Sequence, residues 1–359
     1  MRVIHVAPAA FGADGVYGGG ERYPLMLARA LASGVDCELV TFGPYARLIR
    51  EPGGLRIRVL RRRGCWRGHP AHPLALGLPS ALAGADVVHT HQLRSAPSRL
   101  AALVRRRHLA VTDHGLGGGG WCGLLPRLFE RFLVVSRFSA RTLNAPPGRT
   151  DVLYGGADPA CYRPDPRADR AGVLFVGRIT PHKGLDRLIR ALPDDAELTV
   201  VGSGGHDPRP PESGYPALLV RLAAGKRVRF TGPVDDAEAA RLYREAAVLV
   251  LPSVHRTCYG RTVAISELLG LTALEAMASG TPVICSRLGG LPEVVRDGET
   301  GFLTEPGDVG ELRDRIRTLL ADRPLARRLG DDARQLVLER FTWDHCAQRC
   351  LTAYATMLE

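Results

Sequence analysis

The sequence predicts an α/β protein of two doubly wound domains, and three observations carry that reading. With 359 residues the chain is too long for one ordinary core and suits two domains of about 150 to 200 residues each. Short apolar, β-branched runs alternate with helix-like stretches, and the series runs twice. Such alternation implies parallel sheets covered by helices on both faces. Between the two series lies "DPACYRPDPRADRAG", residues 158–172, with three prolines, several charges and no periodicity, as expected of a linker.

In the first half "RVIHVAP", "CELVTFG", "DVVHTH", "LAVTDH", "RFLVVS" and "TDVLYGG" read as strands. "ERYPLMLARALA" and "RSAPSRLAALVRRR" read as helices between them. The second half repeats the scheme with strands "GVLFVGR", "AELTVVGSG", "RVRFTGPV", "AAVLVLPS" and "TPVICS". Its helices are "GLDRLIRAL", "DDAEAARLYREA" and "LTALEAMASG". "FTWDHCAQRCLTAYATML" closes the chain as an amphipathic helix with Thr342 as N-cap. The expected division is 1–165 and 166–340, followed by a last helix in 341–359.

Composition narrows the class. Hydrophobic content of 45% and charged content of 24% are those of a globular protein, and no stretch approaches the ~20 apolar residues of a membrane span. The opening "MRVIHVAPAAFGADG" reads as a strand and loop rather than a secretory leader. Eight cysteines without CxxC or zinc-like spacing fit reduced thiols in a cytoplasmic protein, with no structural metal. Residues 1–170 hold 24 arginines, no lysine and 12 acidic residues, a balance of +12. Residues 171–359 hold 24 basic against 25 acidic residues, a balance of −1. The first half is therefore suited to something anionic: a membrane surface, a nucleic acid or an acidic substrate. Arginine-rich solvated surface, from a coding bias that leaves two lysines in the chain, is the other explanation.

Ligands of open α/β sheets bind beyond the carboxyl ends of the strands, so the residues after strands are the candidates. "SELLGLTALEAMASGTPVICS", residues 266–286, places Glu267 and Glu275 on either side of Gly270 and Thr272. Thr272 and Glu275 form a T-x-x-E capping box, which would account for Glu275 as local structure. The alternative is a site. Backbone N–H groups of Gly270, Leu271 and Thr272 at a helix start favour a phosphate. Glu275 would then reach a pair of vicinal hydroxyls such as those of a ribose, and Glu267 a sugar on the other side. A helix start offers only about half a positive charge, so a diphosphate needs a nearby cation. "FVGRITPHKG", residues 175–184, supplies Arg178 and Lys183 after a strand, beside Gly177.

In the first half "YGGGERY", residues 17–23, is a glycine-rich turn, a weak phosphate signal by itself. "VTDHG" ends a strand with Asp113 and His114; the histidine is either a loop residue or a ligand of a sugar hydroxyl. His89 and His91 share a strand face, but without a third ligand in the motif zinc is not expected.

Glu267, seven residues and Glu275 resemble the E-x7-E signature of the retaining glycosyltransferases of family four, which have the GT-B fold. "FVGRITPHKGLDRLIRAL" is similar to that family's G-R-x-x-x-x-K-G segment, and "GGLPEVVRDGETGFL" to its following loop and strand. "GGGERY", "DVVHTHQ", "TDHG" and "VVSRFSA" stand in the family's order in the first half. The resemblance implies two Rossmann-like domains facing a cleft, the first binding the acceptor and the second a nucleotide sugar, with the last helix returning to the first domain. It implies that Arg178 and Lys183 hold the donor diphosphate, Glu275 the ribose and Glu267 the transferred sugar. Backbone at Gly270, Leu271 and Thr272 would meet the distal phosphate, Gly19 and Gly20 would approach the diphosphate, and His114 would lie near the donor sugar.

Three positions depart from the pattern. Leu269 replaces an expected aromatic residue, and Gly155 in "GGAD" replaces an asparagine. The loop over residues 253–267 is roughly ten residues longer than such a connection needs; it carries His255, Arg256, Tyr259 and Arg261 as candidates for donor or acceptor choice. Asp14, Glu21, Asp113 and Ser136 are the further acceptor candidates.

The expected reaction is metal-independent, front-face transfer of a sugar from a nucleoside diphosphate, UDP first and GDP second, to an acceptor hydroxyl. No cofactor is expected. The acceptor would be a small molecule, a saccharide or a lipid-linked group, in polysaccharide or secondary-metabolite biosynthesis. Peripheral contact with the inner face of an anionic membrane is a further expectation. A nucleotide-sugar 2-epimerase on the same architecture is the alternative. A nucleic-acid or membrane-binding protein is a more distant one, and no RRM, HTH or aromatic-interleaved basic stretch supports nucleic-acid binding.

Overall fold

A computed structural model describes residues 1–9, 19–105, 107–115, 123–204 and 211–359. They divide into two units, Met1–Gly155 with Trp343–Glu359, and Gly156–Thr342.

In the first unit the strands are β1 Arg2–Val6, β2 Asp36–Gly43, β3 Arg47–Arg50 and β4 Arg56–Arg61, then the short pair β5 Gly64–Cys65 and β6 Pro73–Leu74, then β7 Val87–His91, β8 Leu109–Thr112, β9 Arg131–Val134 and β10 Thr150–Val152. The main sheet runs β10-β9-β8-β7-β1-β2-β4-β3. Its pairings are parallel except that of β3 with β4. Chain order reverses at β1, which has β2 on one side and β7 on the other. That reversal opens a crevice at the strands' carboxyl ends.

β3 and β4 are additions to the strands read from sequence. "RIRVLR" alternates as a half-buried strand should, with Ile57 and Val59 inside. Its arginines are explained by Glu38, a buried carboxylate on β2 that pairs with Arg56 and Arg58. Part of the basic excess in the first half is therefore local charge neutralisation.

The second unit holds β11 Ala171–Val176, β12 Glu197–Val201, β13 Arg227–Gly232, β14 Ala246–Leu251, β15 Val283–Ser286 and β16 Gly301–Thr304. Their order is β13-β12-β11-β14-β15-β16 and every pairing is parallel. Val173, Phe175, Val248 and Val250 from the two central strands pack with Leu188 and Ile189 of the helix Leu185–Ala191. The switch point lies between β11 and β14.

The division falls at Gly155/Gly156 rather than at 165/166. Residues that read as a free linker are packed into the second unit. Ala157 bridges Thr342, buried Tyr162 meets the Tyr243 ring edge-on at 5.7 Å, and Arg170 donates to the Ser279 carbonyl at 2.8 Å. The last helix, Trp343–Leu358, belongs to the first unit. Trp343 lies edge-on to Tyr23 of the helix Gly19–Ala32 at 5.2 Å. Among the described residues no helix is long and apolar enough to cross a membrane.

Candidate active site

The carboxyl ends of β11 and β14 are drawn together by a close backbone crossing. After β11 the chain makes a 3-10 turn, Pro181–Lys183, and enters the left-handed region at Gly184 (φ 70°). A Cβ there would overlap the Pro252 carbonyl oxygen just beyond β14. Val254 N–H donates to the His182 carbonyl at 2.9 Å, which locks the two loops. Lys183 Nζ consequently reaches across to the Ser266 carbonyl (3.2 Å) and to Glu267 Oε1 (2.5 Å). Ser253 Oγ donates to the same Oε1 at 3.0 Å. Both charged side chains are largely buried, at 15% and 10% exposure.

Arg178 is exposed on the loop after β11, and Gly177 N–H continues the ladder to the Val201 carbonyl at 3.0 Å. Burial first, then the charges of Lys183, Arg178 and Arg261, push the His182 imidazole down to about 3. The local positive charge therefore comes from Lys183 and Arg178, with His182 neutral.

The helix after Glu267 starts at Leu271 and its N-cap is Gly270, in the left-handed region at φ 96° without a side-chain cap. A Cβ at Gly270 would come 2.5 Å from Leu291 Cδ2. The expected cap at Thr272 does not form: the cap falls two residues earlier because Gly270 takes the turn a β-branched residue resists. The first amide donating inside this turn is that of Ala273, to the Gly270 carbonyl at 3.0 Å. The N–H groups of Gly270, Leu271 and Thr272 precede it, aligned with the helix dipole. Glu275 is buried, and Tyr243 donates to its Oε2 at 2.9 Å.

The switch point of the first unit is a buried histidine cluster. His5 on β1 and His89 and His91 on β7 are fully buried, and His114 follows β8. His5 Nδ1 lies 3.1 Å from His91 Nε2, and His91 Nδ1 lies 3.2 Å from His114 Nε2. His5 is the third ligand that the His89/His91 pattern lacked, and the three sets of ring nitrogens lie within 4.8 Å. Those nitrogens already face one another or hydroxyl groups at hydrogen-bond distance. Gly20 sits against His114: a Cβ there would be 3.2 Å from the His114 Cβ. His114 N–H donates to Gln92 Oε1 at 3.3 Å, and Gln92 itself holds a positive φ of 70° at the end of β7, a strained conformation of the kind found at functional edges.

Known proteins agree with this layout. Residues 17–160 match the family described as Glycosyltransferase Family 4, and residues 163–336 match Glycosyl transferases group 1. A D-inositol 3-phosphate glycosyltransferase of Mycobacterium sp. (strain KMS) is 31% identical over 377 aligned positions, covering 90% of this chain and 83% of that protein. The chain belongs to the family-four glycosyltransferases. The enzyme of the same name from Mycobacterium tuberculosis (strain F11) is 31% identical over 99% of this glycosyltransferase and 82% of its own length. Sucrose-phosphate synthase from Thermosynechococcus elongatus superposes with TM-score 0.76 at 25% identity, covering 99% of each chain. Anabaena Alr3699/HepE, in a structure with UDP and glucose, shares the fold with TM-score 0.78 at 19% identity, covering 99% of this chain and 100% of that one.

The remaining candidates in this glycosyltransferase fall into four groups. Asp14 lies outside the described residues. Gly19 and Glu21 open the helix Gly19–Ala32 beside the histidine cluster. Two acceptor candidates have structural work instead. Asp113 is buried and accepts from Leu93 N–H (3.1 Å) and Gly115 N–H (2.8 Å), so its carboxylate ties two strand-end loops together. Ser136 is the buried N-cap of the helix Arg137–Thr142, in a reciprocal capping box with Ser139.

The long loop closes on itself between His255 and Val263 (2.7 Å) and through an Arg256–Thr262 bridge. Arg261 grips Glu212 with two hydrogen bonds of 2.6 and 2.7 Å, and Tyr259 sits edge-on to Tyr215 at 6.4 Å. These two residues anchor the loop to its own unit, leaving His255 and Arg256 exposed. Sequence reasoning missed Ser253 and Tyr243, the hydroxyl partners of the two glutamates. Ser253 had a signal, since it ends the run "VLVLPS" at a carboxyl edge; Tyr243 had none.

Proposed function

We propose that this glycosyltransferase moves a hexosyl group, with retention, from a nucleoside diphosphate sugar to an acceptor hydroxyl without a metal ion. UDP is the first donor nucleotide and GDP the second. The observation that carries this reading is the Lys183–Glu267–Ser253 grouping at the β11/β14 switch point, three residues before Gly270. An ammonium has three N–H donors; Glu267 and the Ser266 carbonyl use two, which leaves one for a diphosphate oxygen. Glu267 Oε1 takes Lys183 and Ser253, which leaves Oε2 for a hydroxyl of the transferred sugar. A carboxylate spent in this way orients the sugar and is not a nucleophile. The anomeric carbon–diphosphate oxygen bond breaks as the acceptor oxygen bonds on the same face, and a phosphate oxygen takes the acceptor proton. Lys183, Arg178 and the amides of Gly270–Thr272 supply the charge stabilisation that Mg²⁺ gives elsewhere. Glu275, oriented by Tyr243, is assigned to the ribose.

The experiment is a thermal-shift panel of UDP, GDP and ADP and their sugars, each with and without EDTA. UDP compounds are expected to raise the melting temperature most, with turnover unchanged by EDTA. Turnover that requires added Mg²⁺ would remove the metal-free mechanism.

The acceptor we assign is anionic, a phosphorylated polyol or a lipid-linked phosphate. The relatives named for D-inositol 3-phosphate and the +12 balance of residues 1–170 support that class. Peripheral contact with an anionic membrane is supported by exposed Leu103, Leu124 and Leu128 around Arg94 and Arg99, which line a shallow cavity of about 410 Å³ in the first unit. Vesicles containing anionic lipid should sediment the protein and release it at high salt. Equal sedimentation with neutral vesicles would exclude the charge-based contact.

A further inference from the structure

The histidine cluster of the first unit continues beyond the residues any sugar contact needs. Thr112 Oγ1 lies 2.8 Å from His89 Nε2, and His89 Nδ1 lies 2.7 Å from the Tyr354 hydroxyl on the last helix. The same hydroxyl lies 3.4 Å from His5 Nε2. His5 Nδ1 meets His91 Nε2, and His91 Nδ1 meets His114 Nε2. The result is an unbroken run from Thr112 through His89, Tyr354, His5 and His91 to His114. Between its ends the groups are fully buried or nearly so, whereas His114 is partly exposed.

We propose that Tyr354 and His5, acting through this run, fix which nitrogen of His114 carries the proton, and are positioning residues for the sugar contact made there. Burial lowers the proton affinity of all four rings, so each is neutral with one N–H and one lone pair. In a row of such rings one donor direction dictates the next. Tyr354 has a single O–H to give. A phenol is a stronger donor than a neutral imidazole, the neighbouring Cys350 sulfur is only a weak acceptor, and 2.7 Å is a good O–H···N hydrogen-bond distance, so it points at His89 Nδ1. His89 then donates from Nε2 to Thr112, and His5 donates from Nε2 to the Tyr354 oxygen. His5 Nδ1 accepts from His91 Nε2–H, and His91 Nδ1 accepts from His114 Nε2–H. His114 Nδ1, the one nitrogen of that ring outside the run, is left as an acceptor. A reversed run would turn it into a donor and change which sugar oxygen or hydroxyl it can meet.

The functional weight of this setting rests on the reading of His114 as a sugar contact; the setting itself does not. The test is nitrogen NMR of the full protein labelled with ¹⁵N-histidine, with His114 assigned through His114→Asn. The wild type should show His114 protonated at Nε2 and bare at Nδ1. Tyr354→Phe removes the acceptor of His5, and His5→Leu removes the acceptor of His91. Either change should move the proton of His114 towards Nδ1. Cys346→Ala alters the same last helix, where its thiol meets the Tyr23 hydroxyl at 3.2 Å rather than a member of the run, so it should leave His114 as it was. An unchanged His114 tautomer in the folded Tyr354→Phe and His5→Leu proteins overturns the proposal. Equal movement in Cys346→Ala, or stoichiometric zinc in the purified wild type, overturns it as well. If the tautomer moves while His114→Ala keeps wild-type turnover, the run stands and the sugar-contact reading fails.

Discussion

Lys183→Ala is expected to lower kcat by 10²- to 10³-fold, about 3 kcal/mol of transition-state stabilisation, the size seen when a main donor to a developing oxyanion is lost. The other positive groups near Lys183 cannot replace it. His182, the neighbouring residue, stays neutral because burial and the adjacent charges hold its proton affinity far down. Arg178 is exposed and retains much of its hydration. The helix start contributes about half a charge. Lys183→Arg should recover little, since a planar fork cannot occupy the point between the Ser266 carbonyl and Glu267 where an ammonium fits. Glu267→Ala acts on the same grouping, so the double variant should lose less than the two single losses combined. Single-turnover rates at saturating donor check this. Wild-type rates in Lys183→Ala would take this lysine out of the chemistry.

Gly184→Ala should be among the most destabilising small changes in the second unit, by about 3 kcal/mol or more. Two costs add. Alanine resists φ 70°, and its Cβ would overlap the Pro252 carbonyl oxygen, a backbone atom that no rotamer change can move aside. The melting temperature should fall by about 6 to 12 °C at the usual 2 to 4 °C per kcal/mol for a domain of this size. Gly225→Ala separates the costs, because Gly225 has φ 76° but no heavy atom within 4 Å of its hypothetical Cβ. That control should lose only the smaller conformational part. Pushing the β11 and β14 loops apart also moves Lys183 from Glu267, so Gly184→Ala should lose turnover even where it remains folded. Equal melting of the two variants would show that the crossing is slack.

Much of the second unit was legible in the linear order. Strands buried on both faces read as continuous Val/Leu runs, as in "AAVLVLPS" and "GVLFVGR", and the residues following such strands stand at the ligand edge whatever the packing. That logic named Lys183, Arg178, Glu267 and the helix start at Gly270. It misplaced the cap, because Thr272 satisfies a local pattern that the tighter turn at Gly270 overrides. It took residues 158–172 for a linker, because proline and charge look alike whether a segment is free or packed as Tyr162 is.

The first unit was harder to read for a physical reason. Arginine in β4 is paid for by a carboxylate eighteen or more residues earlier in the chain, on β2, and no window of sequence shows such a pairing. Asp113 and Ser136 looked available as polar strand-end residues, yet backbone N–H groups from neighbouring turns take their oxygens.

The sequence by itself therefore determined the class of fold, the carboxyl edge of the sheet where the candidate groups gather, and the kinds of groups that stand there. These follow from periodicities of two and 3.6 residues and from the obligatory geometry of parallel strands. The tertiary structure alone decided which groups touch: Ser253 with Glu267, Tyr243 with Glu275, and four histidines from three strand edges joined through a tyrosine on the last helix. Such contacts arise between segments far apart in the chain, where only packing, and no local rule, brings a donor within reach of its acceptor.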